Sequence, residues 1–313
     1  MAPRRIRYAR LPTERANRAS RALDRLSALE IAALMNREDH RAVAAVGRVR
    51  RDVAEAVELI VRALRGGGRL VFVGAGTSGR LGVLEAAECP PTFGTRPGVV
   101  RAIIAGGRGA VFRSREGAED DGRAARRAVR ERVRRGDVVV GVSASGATPF
   151  VAAALAEARR RGAATVLVAC NPHVRRRRAG RASGATVVIA PATGPEVLAG
   201  STRLKAGTAT KLVLNTLTTA SMTRLGKVYG NLMVDLQPRS AKLRARAARL
   251  VEELAGVSRV RATRLLGGAH GSVSLAIVMA RRGLGARAAA RTLAAARGSL
   301  RAALQAPRRK ERA

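Results

Sequence analysis

Arg69-Leu-Val-Phe-Val-Gly-Ala-Gly-Thr-Ser-Gly-Arg80 runs on without a break into Leu-Gly-Val-Leu-Glu-Ala-Ala-Glu-Cys-Pro-Pro-Thr-Phe-Gly94. Leu70 to Val73 is a short apolar, β-rich run that reads as a buried strand. Gly74, Gly76 and Gly79 then let the backbone turn tightly and approach an anion, and a helix should start there. Its free N–H groups and the positive end of its dipole would face the anion, with the Thr77 and Ser78 hydroxyls as further donors. Farther along the same helix stands Glu88, an acid that an anion site would repel unless it has chemical work to do.

Strand and helix alternate outward from this stretch. Val99 to Ala105 reads as a second strand, Asp121 to Arg134 as a charged helix and Asp137 to Val142 as a third strand. Pro149 to Arg160 reads as a helix begun by proline, Ala164 to Ala169 as a fourth strand and Thr186 to Ala190 as a fifth. Strands buried on both faces and joined by helices predict an α/β fold with a doubly wound, five-stranded parallel sheet. Upstream, residues 49–65 form an amphipathic helix with Val53, Val57, Ile60, Val61 and Leu64 on one face, stopped by Gly66-Gly-Gly68. Residues 1–48 read as a helical arm, with an apolar pattern at Leu23, Leu26, Leu29, Ile31 and Leu34. Residues 49–235 form the predicted sheet domain. Residues 236–313 read as a small bundle of short helices broken at Gly256, Gly267-Gly268 and Gly283, where His270 is a helix-end residue rather than a ligand.

In such sheets ligands sit beyond the carboxyl ends of the strands, so the segments after each strand deserve the closest reading. Ser143-Ala-Ser-Gly-Ala-Thr-Pro149, after strand three, is a second hydroxyl-rich turn opening a helix. The donors of Ser143, Ser145 and Thr148 could hold one phosphate jointly with the Thr77-Ser78-Gly79 turn. Glu116-Gly-Ala-Glu-Asp120, after strand two, is either an acid-rich helix start or the place of a second catalytic acid, Glu119, to work with Glu88 as general acid and base. Between Gly194 and Asn215, Glu196, Ser201, Thr202, Arg203, Lys205 and Thr208 crowd a helix entrance. They mark either a sugar or phosphate contact, for which Glu196, Ser201 and Lys205 are the candidates, or a capping cluster.

The chain of 313 residues has a formal net charge of +38, a balance that raises nucleic acid or an anionic membrane as partners. The distribution points away from both. Arginines are spread along the whole chain with only short clusters, Arg175 to Arg178 and Arg308 to Lys310, and six aromatic residues (Tyr8, Phe72, Phe93, Phe112, Phe150 and Tyr229) leave little to stack on bases. Of the 60 basic residues 55 are arginine. Four of the five lysines, Lys205, Lys211, Lys227 and Lys242, fall in one region, which points to places where a compact ammonium is wanted. Cys89 and Cys170, without Cys/His pairs at ligand spacing, read as buried thiols, with no disulfide framework and no metal site. No apolar run reaches the ~18 residues that span a bilayer, and eight arginines in the first 25 residues exclude a secretory signal. A cytoplasmic protein is expected.

The two turns resemble those of the sugar isomerase (SIS) family, whose domain binds phosphosugars. Gly74 to Gly82, Glu88-Cys-Pro-Pro-Thr-Phe-Gly94, Glu116 to Asp120, Ser201 to Ala209 and Gly226-Lys-Val-Tyr-Gly-Asn-Leu-Met-Val-Asp235 together resemble the N-acetylmuramic acid 6-phosphate etherases. The likeness runs from about Leu11, with Thr13-Glu14 and Asn17, to C-terminal helices resembling that family's ubiquitin-associated-like bundle. Glu85, Ala147, Leu204 and Thr210 depart from the family's usual Asp, Arg, Met and Gln. The resemblance implies cleavage of the D-lactyl ether of N-acetylmuramic acid 6-phosphate in cell-wall recycling, by a homodimer with no metal or cofactor, Glu88 donating the proton and Glu119 acting as base. Two rivals fit parts of the pattern. Gly74-Ala-Gly-Thr-Ser-Gly79 also satisfies a dinucleotide motif, but Gly106-Gly-Arg108 stands where a ribose-binding acid belongs. A non-catalytic phosphosugar sensor, such as the glucokinase regulatory protein, would keep the turns, yet it could dispense with the two glutamates retained here.

Overall fold

A computed structural model describes residues 11–174, 185–238 and 240–306, so the arginine clusters at Arg175 to Arg178 and Arg308 to Lys310, and Tyr8, lie outside the described residues. The chain divides into two compact units, one drawn from Met1–Ala87 and Gly98–Thr218, the other from Glu88–Pro97 and Thr219–Ala313.

The first unit holds five parallel strands, β1 (Leu70–Gly74), β2 (Val100–Ile104), β3 (Val138–Val142), β4 (Ala164–Val168) and β5 (Val187–Ile189), in the order β2-β1-β3-β4-β5. Each of the five predicted strands is present, shifted by one residue at most at either end. Every residue of β1 and β3 is buried, which is why both read as unbroken apolar runs. β1 and β3 are direct neighbours with Gly74 opposite Val142, so the turns that follow them leave the sheet side by side. The helices are α1 (Ala28–Arg48), α2 (Arg50–Arg65), α3 (Gly76–Phe93), α4 (Gly122–Arg132), α5 (Pro149–Arg160) and α6 (Lys205–Arg224). Val71, Val73, Val139, Ala125, Val129, Phe150, Ala154 and Leu155 form one buried core on the α4–α5 face of the sheet.

Two local departures from the sequence reading have clear causes. The apolar pattern from Leu23 does not form one helix, because Leu23–Arg25 is a 3-10 turn and α1 starts only after Ser27. There the Ser27 hydroxyl accepts from Glu30 N–H and the Glu30 carboxylate accepts from Ser27 N–H, a capping box that fixes the start. The charged fourth helix begins one residue late because the Asp121 side chain caps it, accepting from Ala124 N–H at 2.8 Å.

In the second unit α7 (Ala241–Ala255), α8 (Arg259–Gly268), α9 (Val273–Arg282), α10 (Ala286–Ala295) and α11 (Leu300–Gln305) surround Val251, Ala262, Ala276, Ile277, Ala289 and Leu300. Serines 240, 258, 272 and 299 cap four of them. Gly256 and Gly283, both at positive φ, close two. His270 sits just past α8 at φ 50°.

Candidate functional site

Glycine geometry builds the first turn. A Cβ on Gly74 would stand 2.7 Å from Gly79 N, and one on Gly79 would stand 2.6 Å from Ile104 Cγ1 and 2.7 Å from Gly74 O. Strand and helix therefore touch through two bare backbones, with Gly76 at φ 51° turning the corner. Gly79 N–H is spent on Ala75 O at 3.1 Å, whereas the N–H groups of Gly76, Thr77 and Ser78 open α3 and have no carbonyl one turn earlier to bond. The Thr77 and Ser78 side chains are half-buried, and their hydroxyls make no hydrogen bond among the described residues. The turn presents unspent donors at a helix N-terminus.

Hydroxyls build the second turn. Ser143 Oγ lies 2.8 Å from Thr148 Oγ1 and 3.5 Å from Ser145 Oγ, and it accepts from Gly146 N–H at 3.1 Å. Ser145 Oγ accepts from Ala147 N–H at 3.2 Å. From the end of β4, Cys170 N–H donates to Ala144 O and Asn171 Nδ2 to Ser145 O, each at 2.9 Å. Gly146 lies at φ 70° and a Cβ there would meet Val174 Cγ1 at 2.3 Å. Cys170 is buried, which pushes its thiol up to about 12 from 9.0.

Glu88 lies on α3 and counts with the second unit, while Glu119 lies in the 3-10 turn Ala118–Asp120 of the first. Both carboxylates are exposed and neither makes a hydrogen bond or ion pair among the described residues.

The helix entrance at Gly194 to Thr208 turns much of its polarity inward. Glu196 is 1% exposed and its two carboxylate oxygens accept from Lys205 N–H and Ala206 N–H, both at 2.9 Å, so it caps α6. Burial raises the Glu196 pKa against the lowering effect of those N–H groups. Lys205, 2% exposed, pairs through Nζ with Glu38. Glu38 also accepts from Asn17 Nδ2 at 2.8 Å and from Arg41 at 2.7 Å. Burial alone would raise the Glu38 carboxyl, but Lys205 and Asn17 outweigh it and hold it below the ordinary range. Ser201 remains half-buried, its hydroxyl without a partner among the described residues. A Cβ built on Gly207 would stand 3.9 Å from Thr77 Cγ2, so the first turn of α6 lies against the glycine-rich turn after β1.

The lysine pattern acquires a physical meaning here. Lys205 pairs with Glu38, Lys211 with Glu85 at 3.3 Å, and Lys227 with Asp235 at 2.8 Å. Glu38 itself went unread in the sequence, although Leu34, Glu38, Ala42 and Ala45 share the buried face of α1. A carboxylate on the apolar stripe of an amphipathic helix is the signal that finds it. Among the described residues no group of three or more His, Cys, Asp or Glu side chains could hold a metal ion, and no helix is long and apolar enough to cross a membrane.

Comparison with known proteins gives the following. The model for the glucokinase regulatory protein N-terminal SIS domain matches residues 52–159. An N-acetylmuramic acid 6-phosphate etherase of Symbiobacterium thermophilum is 52% identical over 86% of this chain and 88% of its own. A protein of the same name from Trichormus variabilis is 51% identical over 94% of each. Among solved structures, the phosphoheptose isomerase GmhA of Neisseria gonorrhoeae matches with a TM-score of 0.46 at 19% identity, over 63% of this chain and 100% of its own.

Proposed function

This chain belongs to the N-acetylmuramic acid 6-phosphate etherase family, and on that premise we propose that Glu88 and Glu119 divide the acid and base work of its reaction. The reaction is cleavage of the D-lactyl ether of N-acetylmuramic acid 6-phosphate to N-acetylglucosamine 6-phosphate and D-lactate, a step in recycling cell-wall amino sugars. The observation that carries this reading is the 52% identity spanning 86% of the chain, far beyond the length of any single motif.

An ordinary ether is inert at neutral pH, so the route runs through the substrate's own aldehyde. In the open-chain sugar C1 is a carbonyl, which makes the C2 proton acidic and the lactyl oxygen on C3 a β leaving group. Glu119 takes the C2 proton. Glu88 protonates the lactyl oxygen as the C3–O bond breaks, D-lactate departs, and a C2–C3 double bond remains. Water then adds its oxygen to C3 and a proton returns to C2. Each positioned carboxyl contributes about 10²–10⁴ in rate. In this proposal the phosphate is held between Thr77 and Ser78 on one side and Ser143, Ser145 and Thr148 on the other, with Ser201 completing the sugar contact; Gly79, read as a donor in the sequence, spends its N–H on Ala75 O and only shapes the turn. Glu196 and Lys205 hold the entrance to α6 in shape. The same proposal takes the active species to be a cytoplasmic homodimer, with residues 1–48 as an arm, 49–235 as the phosphosugar domain and 236–313 as the bundle.

Isotopes test the chemistry. In D₂O enriched in heavy oxygen, the aminosugar should gain deuterium at C2 and solvent oxygen at C3 while the lactate keeps its ether oxygen. Heavy oxygen in the lactate, with no label at C2, would mean direct displacement. Glu88→Gln should stop lactate release yet leave C2 exchange running, and Glu119→Gln should stop both. The reverse pattern would exchange the two roles.

A further inference from the structure

Two half-buried arginines bracket the first strand and its turn, and they are used in opposite ways. Arg69, just before β1, is spent on the fold. Its backbone N–H and its Nε donate to Asp137 Oδ1 at 2.9 and 3.2 Å, and its Nη2 donates to Asp137 Oδ2 at 2.7 Å. Arg80, just after the turn, pairs with no acid. Its Nε donates to the neutral Val111 O at 2.8 Å, and its guanidinium makes no other hydrogen bond or ion pair among the described residues. The charge and the Nη fork of Arg80 are therefore unspent, although partial burial has already taken water from them, a cost that no fold contact offsets.

Arg80 also stands where a ligand would meet it. It follows Gly79 directly, and on α3 it lies three residues on from Thr77, so the two side chains are neighbours on the helix surface. Helical side chains lean toward the N-terminus of their helix, which tips Arg80 back toward the open end of α3. The segment that holds it springs from the same edge of the sheet. Ala105 N–H, just past β2, donates to Gly74 O at 3.0 Å, and a Cβ on Gly79 would stand 2.6 Å from Ile104 Cγ1. Beyond Val111 the same segment leads into the turn of Glu119.

We propose that Arg80 is a substrate-binding residue, its Nη fork taking an anionic oxygen group of the phosphosugar while Val111 O holds the guanidinium in place through Nε. The donors assigned to the two turns are all neutral, so Arg80 supplies the charge that the turns lack. The substrate offers two such groups, the phosphate and the lactyl carboxylate, and only the first survives in N-acetylglucosamine 6-phosphate. This rests on the reading of the two turns as the phosphate site.

Kinetics of Arg80 variants test the contact. Arg80→Gln should raise KM for N-acetylmuramic acid 6-phosphate about tenfold or more, the loss expected of one charge-assisted pair, and leave kcat within about threefold. Arg80→Lys keeps the charge and a donor for Val111 O but has no fork, and should raise KM about threefold. The Ki of N-acetylglucosamine 6-phosphate as competitive inhibitor tells which group is held. A Ki that rises in step with KM assigns the phosphate, and a Ki within about twofold of the parent value assigns the lactyl carboxylate. If Arg80 only braced the segment after β2, loosening that segment by other means would have the same effect. Ala110→Gly does so, removing a methyl group from its interior, where Ala110 is 4% exposed. It should lower the midpoint of unfolding while leaving KM within about twofold. The proposal is overturned if either Arg80 variant leaves KM unchanged, or if Ala110→Gly raises KM as much as Arg80→Gln does. Ser78→Ala separates this from the underlying reading, since it should raise KM and Ki alike. If it moves neither while Arg80→Gln raises KM, the phosphate assignment fails and the Arg80 contact stands.

Discussion

The turn after β1 and the turn after β3 leave neighbouring strands at the same edge of the sheet, yet they are shaped by opposite means. The first owes its form to absent side chains, with Gly74 and Gly79 in backbone contact, and its two hydroxyls are left unspent. The second owes its form to present ones, with Ser143 at the hub of bonds to Thr148, Ser145 and Gly146 N–H. A donor that no fold contact uses can be lost at the expense of binding alone. A donor that also builds its own loop cannot be lost without loosening the loop as well.

Adding one methyl group should expose the difference most strongly. Gly79→Ala would drive a Cβ into Gly74 O and Ile104 and should cost about 3 kcal/mol, at the upper end for overpacking, because backbone cannot move aside. Gly146→Ala should cost as much for a different reason, its φ of 70° being one that alanine rarely adopts while its Cβ would meet the buried Val174 at 2.3 Å. Midpoints of denaturant unfolding check both, and a loss under about 1 kcal/mol at Gly79 would mean that the first turn is less rigid than its glycines indicate.

Alkali should loosen the second turn in preference to the first. The Cys170 thiol is held neutral up to about 12 when folded against 9.0 in its free state, and its N–H braces Ala144 O. A group whose pKa is raised on folding contributes its stability fully below pH 9. That contribution then falls away as the pH rises toward 12, by about 2 kcal/mol at pH 10.5. Cys170→Ala should be less stable at pH 7 but should flatten this slope, measured as the difference in unfolding free energy between pH 8 and 10.5. An unchanged slope would mean that the thiol is not sealed from water.

Smaller still, Ser143→Ala should cost about 1 kcal/mol of stability as well as affinity. Ser78→Ala should cost affinity with stability inside about 0.5 kcal/mol. Thermal unfolding with and without ligand separates the two.

Much of this was readable before any coordinates. The five strands and α5 (Pro149–Arg160) follow from apolar runs and a helix-starting proline, signals confined to a few neighbouring residues. The two turns follow from glycines and hydroxyls at strand ends. Less readable was anything that depends on a distant partner. Lys205 reads as a sugar contact from its polar neighbours, but it spends its charge on Glu38, 167 residues away, a pairing that no local pattern encodes. Glu196 sits between these cases. Capping was one of its two readings, and a carboxylate nine residues before the N–H it accepts is just within reach of sequence reasoning. The lysine clustering shows composition carrying structural information, since three of the five lysines pair with carboxylates while arginine supplies most of the general charge.

The most direct test asks whether the two turns hold one phosphate. Calorimetric titration with N-acetylglucosamine 6-phosphate, and with N-acetylglucosamine as the phosphate-free control, should be run on Ser78→Ala, on Ser145→Ala and on the double variant. Each single change should weaken the phosphosugar about tenfold and leave the control unaffected. The double variant should lose less than the product of the two, because residues sharing one ligand group do not act independently. Losses that multiply fully, or that appear equally with the unphosphorylated sugar, would contradict a shared phosphate site.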